Sequence, residues 1–209
     1  MSARIAIVDY GMGNRRSVEK ALEHVGAVVS ITRDPAELRA ADGLLLPGVG
    51  AFPAAMRVLR ELELEEVLVS CARDGQPFFG SCMGMQLLFE SSDEHDGARG
   101  LGLLRGAVRR LDAGGQKLPH IGWSEVRWVN DSPLLHGLPD PSIFYHVHSY
   151  APHPADGEDV LGVSDYGEEF ASVVARDNVF GAQFHPEKSS THGLALLRNF
   201  ARLCDRVAA

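Results

Sequence analysis

Short, almost wholly apolar runs alternate with stretches of helical spacing through the first half of the chain. Residues 5–9, 28–31, 44–46 and 78–79 are the short runs, and they read as strands. Residues 15–25, 54–59 and 67–73 carry apolar positions at helical intervals, and a further helix starts at Met83. Strand–helix–strand repetition predicts βαβ units: an α/β fold with a mostly parallel central sheet flanked by helices, and ligands at the strand C-terminal ends. The middle of the chain changes character. Residues 107–111, 125–129 and 143–150 are hairpin-like runs separated by Gly, Pro, Asn and Asp, and predict additional antiparallel strands. Residues 160–163, 172–175 and 179–184 continue the strands, and an amphipathic helix over 192–207 closes the fold. Gly114-Gly115 and the segment 152–157 read as loops, being short and flanked by regular patterns. The expectation is one domain over residues 1–209.

Composition narrows the functional classes. Of 209 residues, 28 are acidic and 20 basic, a formal charge of −8 that disfavours nucleic acid and anionic membranes as partners. A chain that is 45% hydrophobic and 23% charged is an ordinary globular one. Cys71, Cys82 and Cys204 are an odd set without a close pair, which predicts free thiols and a reducing compartment. The apolar start at residues 5–8 falls short of the roughly 7–15 residues of an export signal. The uncharged segment 43–56 is shorter than the roughly 20 residues of a membrane span and contains Pro47 and Pro53. A soluble cytoplasmic protein is expected.

The densest chemistry lies in Gly80-Ser81-Cys82-Met83-Gly84-Met85-Gln86, which follows the apolar Phe78-Phe79 and leaves as a helix. Glycines two residues either side of a central nucleophile permit the sharp strand-to-helix turn of a nucleophile elbow. The central residue here is a thiol. A helix start favours the thiolate and offers free N–H groups to an oxyanion, Met83 N–H being the natural donor. Taken alone, Cys82 reads equally well as a small buried hydrophobe. Cys71 and Cys204 lack the glycine setting and read as packing.

A cysteine nucleophile needs a proton relay and a group to orient it. Phe184-His185-Pro186-Glu187 supplies both, because residues two apart in extended chain share a side and Glu187 can then hold the His185 imidazole toward Cys82. The bland alternative is a surface histidine at a strand end, and the elbow elsewhere shifts the balance. Leu46-Pro47-Gly48-Val49-Gly50 offers a second oxyanion element or an ordinary strand-end turn. Asp9-Tyr10-Gly11-Met12-Gly13-Asn14 lacks the third glycine of a dinucleotide loop, and Asp9 would repel a pyrophosphate. His146 and His148 share a strand face but have no third ligand at metal spacing, and Trp123 reads as core or as a partner anchor.

Together these motifs resemble the glutaminase subunits of imidazole glycerol phosphate synthase, class I (triad) glutamine amidotransferases of histidine biosynthesis. The cysteine and His-Pro-Glu motifs are those of all triad amidotransferases. Asp9 to Asn14, Pro47 to Gly50, Pro119-His120-Ile121-Gly122-Trp123, Phe144 to Tyr150 and Glu187-Lys188-Ser189-Ser190 are similar to these subunits in particular. Ser81 and Met83 stand where the family has aliphatic residues, and Ser124 where it has Asn. The resemblance implies thiolate attack by Cys82 on the glutamine carboxamide, His185 as proton relay, Glu187 as orienter, and Val49 and Met83 as oxyanion donors. It implies a glutamine site of Gly50, Gln86, Glu94, His148, Ser149 and Tyr150, with no cofactor and no metal. Because free ammonia in neutral water becomes non-nucleophilic ammonium, the resemblance also implies a protected route to a partner, a (β/α)₈-barrel cyclase. Trp123, Tyr145 and Lys188 match interface positions, and Met12 and Asn14 lie on the loop facing the barrel. Flipping of the Val49 peptide is the expected activation gate. Another cysteine hydrolase on the same scaffold is the competing reading.

Overall fold

The computed structural model describes residues 2–207, so residues 1, 208 and 209 of the expected domain lie outside it. Its strands are β1 (Arg4–Val8), β2 (Val28–Thr32), β3 (Gly43–Gly48), β4 (Phe78–Cys82), β5 (Phe89–Ser92), β6 (Ala98–Arg99), β7 (Leu104–Arg110), β8 (His120–Trp128), β9 (Ser142–His148), β10 (Tyr150–Pro154), β11 (Val160–Asp165), β12 (Glu169–Arg176) and β13 (Val179–Ala182). The helices are α1 (Arg15–His24), α2 (Pro35–Ala40), α3 (Phe52–Glu61), α4 (Leu64–Arg73), α5 (Met83–Leu87) and α6 (Ser190–Val207).

Nine strands form the main sheet in the order β2-β1-β3-β4-β13-β12-β11-β8-β9. The pairings from β2 to β13 are parallel and those from β13 to β9 antiparallel. The expected α/β fold is therefore present; of the additional antiparallel runs, β8 and β9 continue one edge of the main sheet, whereas the run expected at 107–111 falls largely in β7 of a second sheet. The apolar strands are explained by burial on both faces. Ala6, Val8, Leu44, Leu46 and Phe78 pack with α3 and α4 on one side. Ile5, Ile7, Leu45 and Phe79, displaced by one residue, pack with α1 and α6 on the other. Strand alternation thus feeds two cores from one sheet.

Several elements depart from the sequence expectation, β5 and β6 among them, which no apolar run announced. α2 buries only Leu38, too little for an apolar period, and is instead started by Asp34, whose side chain accepts from Ala36 N at 2.7 Å, with Pro35 in the first turn. Residues 152–154, expected in a loop, belong to β10, where Pro152 pairs with Val108 and Pro154 with Gly106. β10 is an edge of the second sheet (β10-β7-β5-β6), where a missing N–H leaves no ladder bond unmade. The strand expected over 179–184 stops at Ala182, releasing the chain toward His185.

Parallel register sets the site. Gly48 lies beside Cys82, and Ser81 beside Ala182, so the segments leaving β3, β4 and β13 emerge at one rim.

Candidate active site

The turn at Cys82 is the sharpest feature of that rim. Cys82 holds φ 54° and ψ −113°, a conformation L-residues seldom adopt and one that costs about 1–3 kcal/mol. The flanking glycines make it possible: a Cβ on Gly80 would meet the Gly84 carbonyl oxygen at 2.5 Å, and one on Gly84 would overlap the Leu46 carbonyl. The elbow expected from Gly-x-Cys-x-Gly is therefore built, with β4 running straight into α5.

His185 follows β13 and is pinned through its main chain, its N–H donating to the Tyr145 carbonyl at 3.0 Å and its carbonyl accepting from the Ser189 hydroxyl at 2.7 Å. Its Nδ1 lies 3.0 Å from Oε1 of Glu187, which sits in a one-turn 3-10 helix, Pro186–Lys188. A carboxylate only accepts, so Nδ1 carries the proton and Nε2 is left for the thiol side. Burial alone would lower the imidazole. The hydrogen bonds and charges of Cys82 and Glu187 outweigh it and raise His185 from 6.5 to about 10. Glu187 is almost wholly buried, and its Oε2 has no partner.

Cys82 and His185 line one cavity of ≈ 330 Å³, within the range for a single small ligand. Val49, Gly50, Met83, Gln86, Glu94, His148, Ser149, Tyr150 and Lys188 line the same cavity, joined by Pro119 and Val147. Gly48 packs against Met83, where a Cβ would approach the Met83 Cβ to 2.6 Å, so the two expected oxyanion segments abut. Glu94 also accepts from Phe52 N at 2.7 Å and caps α3, which has no cap of its own. Of the expected interface residues only Lys188 lines the cavity. Trp123 is 54% exposed and sits edge-on to Tyr145 with ring centroids 5.7 Å apart, on the β8–β9 ribbon. Met12 packs at Gly50, and Asn14 caps α1 through Ser17 N at 3.4 Å.

The histidines weighed as metal ligands are packed otherwise. His120, His146 and His148 cluster with ring centroids 5.1–5.5 Å apart. Burial lowers His146 well below 6.5 and His148 to about 3, so both are neutral. Among the described residues no three His, Cys, Asp or Glu side chains form a group able to hold a metal ion. His120 Nε2 lies 2.9 Å from the hydroxyl of Ser124, the residue that departs from the family's Asn. Burial pushes the Cys71 thiol up and the Cys204 thiol to about 12, which leaves both as packing groups.

A model of the class I glutamine amidotransferase family matches residues 6–204. The chain belongs to the class I glutamine amidotransferases. Within this family it is 54% identical over 196 residues to "Imidazole glycerol phosphate synthase subunit HisH" of Bacillus cereus (strain G9842), covering 94% of this chain and 93% of the relative. It is 51% identical over 198 residues to the subunit of the same name from Desulfitobacterium hafniense (strain DSM 10664 / DCB-2), covering 95% and 93%. The amidotransferase fold is shared with the solved "Structure of PurLQS from Thermotoga maritima", at TM-score 0.76 and 22% identity over 97% of this chain and 99% of that one. A solved glutamine amidotransferase gives TM-score 0.74 at 22% identity over 96% and 98%.

Gln183 went unnoticed in the sequence. It is fully buried, accepts from Gln86 Nε2 at 3.0 Å and donates toward Cys82 Sγ at 3.9 Å. Glu187 reaches the imidazole from a 3-10 turn and not from the extended chain expected, and Gln183 lies in a bend after β13, so the two-residue alternation of a strand carried no signal for it.

Proposed function

We propose that this enzyme is the glutaminase subunit of an imidazole glycerol phosphate synthase, hydrolysing glutamine and passing ammonia to a cyclase subunit. The observation that carries the reading is the strained Cys82 sharing a cavity with an imidazole whose far nitrogen is held by a buried carboxylate, in a chain half-identical over nearly its whole length to subunits of that name.

The Cys82 thiolate attacks the side-chain carboxamide carbon, and the main-chain N–H groups of Val49 and Met83 receive the oxyanion. His185, protonated and held by Glu187, gives a proton to the departing nitrogen. The C–N bond breaks, ammonia leaves and a glutamyl thioester remains. His185 Nε2 then takes a proton from water, which attacks the thioester, breaks the C–S bond and returns thiol and glutamate. Gln86 and Glu94 meet the substrate ammonium, while Gly50, His148, Ser149 and Tyr150 hold its main chain.

The exposed Trp123, with Tyr145, Lys188, Met12 and Asn14, forms the face toward a (β/α)₈-barrel cyclase, which uses the ammonia before it protonates. We assign the phosphorylated substrate to that partner because this chain carries a charge of −8. The cysteines are free and buried, which fits a cytoplasmic protein, and no helix among the described residues is long and apolar enough to cross a membrane. The test is a glutamine-shaped chloroketone: mass spectrometry is expected to find one adduct, on Cys82, blocked by glutamine. Adducts elsewhere, or none, would overturn the assignment.

A further inference from the structure

The buried amides beside the elbow form a chain whose direction is set by a main-chain atom. Gln86 Nε2 lies 2.9 Å from the Tyr150 carbonyl oxygen and 3.0 Å from Gln183 Oε1. The Tyr150 oxygen can only accept, so the Gln86 atom facing it must be the NH₂ group. The Gln183 atom facing that NH₂ must then be oxygen, which leaves the Gln183 NH₂ toward Cys82 Sγ at 3.9 Å. The one backbone carbonyl therefore fixes both amides: a flipped Gln86 would set its oxygen against the Tyr150 oxygen, and a flipped Gln183 would set NH₂ against NH₂. At the far end, Gln86 Oε1 is left buried and without a partner on a residue that lines the cavity.

We propose that Gln183 is a positioning residue with two jobs. It holds Gln86 with its free oxygen available to a cationic group in the cavity, and it presents the Cys82 sulfur with a donor and never an acceptor. A donor favours the thiolate over the thiol, whose own proton is directed to the Val147 carbonyl at 3.8 Å. A cation on Gln86 Oε1 polarises both amides in the same sense and strengthens the donor at sulfur, since linked hydrogen bonds reinforce one another. Occupation of the ammonium subsite is thereby coupled to readiness of the nucleophile. The first job rests on the glutaminase reading; the second rests on geometry alone.

Two substitutions separate the jobs. Gln183→Leu removes acceptor and donor, whereas Gln183→Glu keeps an acceptor for Gln86 and removes the donor at Cys82. The first readout is alkylation of Cys82 in the full-length chain by iodoacetamide across pH 5–10, followed on the Cys82 peptide by mass spectrometry. It requires no glutamine. At pH 7 Gln183→Leu is expected to react about five- to tenfold more slowly than the native chain, the scale of one weak hydrogen bond to a charged group, and Gln183→Glu more slowly still because its carboxylate also repels the thiolate, with the half-maximal pH displaced upward in both. The second readout is the KM-against-kcat split for glutamine in the complex with the cyclase: Gln183→Leu raises KM and lowers kcat, and Gln183→Glu lowers kcat with KM near native. A merely structural Gln183 would lower thermal stability and leave the alkylation profile in place. If Gln183→Leu does not fold, Gln183→Met supplies the same deletion with a flexible side chain. A native alkylation profile in the folded variants overturns the proposal, as does an equal KM increase in Leu and Glu variants. Failure of the glutaminase reading is distinguishable, because alkylation would still respond to Gln183 while no variant, nor the native complex, released glutamate.

Discussion

Removing the charge of Glu187 while keeping its shape isolates what that residue does for His185. In Glu187→Gln the oxygen 3.0 Å from Nδ1 stays available as an acceptor, but the buried negative charge is gone. At that separation and an effective dielectric of about 20, the attraction between carboxylate and imidazolium is about 5 kcal/mol. A neutral hydrogen bond retains about 1 kcal/mol of it. Partial charging of the imidazole in the transition state makes the net loss about 3–4 kcal/mol, a fall in kcat of about 10²–10³-fold. The assay is steady-state release of glutamate by the complex with the cyclase, repeated across pH. Since Glu187 helps to hold His185 up at about 10, its alkaline limb must move to lower pH in the variant. The new NH₂ group falls where Oε2 is buried without a partner, so a thermal melt run in parallel separates lost stability from lost chemistry. A kcat within threefold of native with an unmoved alkaline limb would refute the role of the carboxylate.

Other expectations follow from the packing. Gly84→Ala forces a Cβ into the Leu46 carbonyl, with backbone on both sides and nothing flexible to yield; the expected cost of about 3 kcal/mol is a fall in Tm of roughly 6–12 °C by calorimetry, and an unchanged Tm would contradict the elbow packing. Tyr10→Phe removes the buried hydroxyl that donates to the Pro47 carbonyl at 2.8 Å, and urea denaturation should register about 1–2 kcal/mol. Stability should also fall in mild acid. His146 and His148 are lowered below 6.5 in the fold, so the unfolded chain binds more protons beneath that pH, and their contribution is present above 6.5 and lost on acidification. His185, raised to about 10, already holds its proton in the fold, and its contribution changes little below 6.5. The net loss between pH 6.5 and 5.5 is about 2 kcal/mol, measured as a lower urea midpoint, and a flat midpoint would show that the two imidazoles are not buried neutral.

What the sequence disclosed follows from which interactions are local. The parallel strands were legible because burial on both faces demands unbroken apolar runs. The elbow was legible because a strained turn at Cys82 needs glycine at fixed offsets. His185 and Glu187 were legible as a pair for the same reason: their geometry is set within three residues. α2 was missed because its single buried residue leaves no period, although Asp34-Pro35 was a usable start signal. The strand at 150–154 was missed because proline argues against strands, and only the tertiary fact that β10 is an edge lifts the objection. Gln183 and Gln86 lie 97 residues apart and meet only through the sheet, so their amide pairing has no local trace. Glu94 was expected to face substrate and does line the cavity, but its cap on α3 is a long-range contact that the sequence could not disclose.

If Cys82 generates ammonia for a separate synthetic step, supplying ammonia from outside must bypass it. Cys82→Ser is assayed in complex with the cyclase, once with glutamine and once with an ammonium salt at alkaline pH. Loss of glutamine-dependent synthesis with persistence of ammonium-dependent synthesis is the result predicted. Retention of glutamine-dependent synthesis would place the nucleophile elsewhere, and loss of both activities would make Cys82 a structural residue.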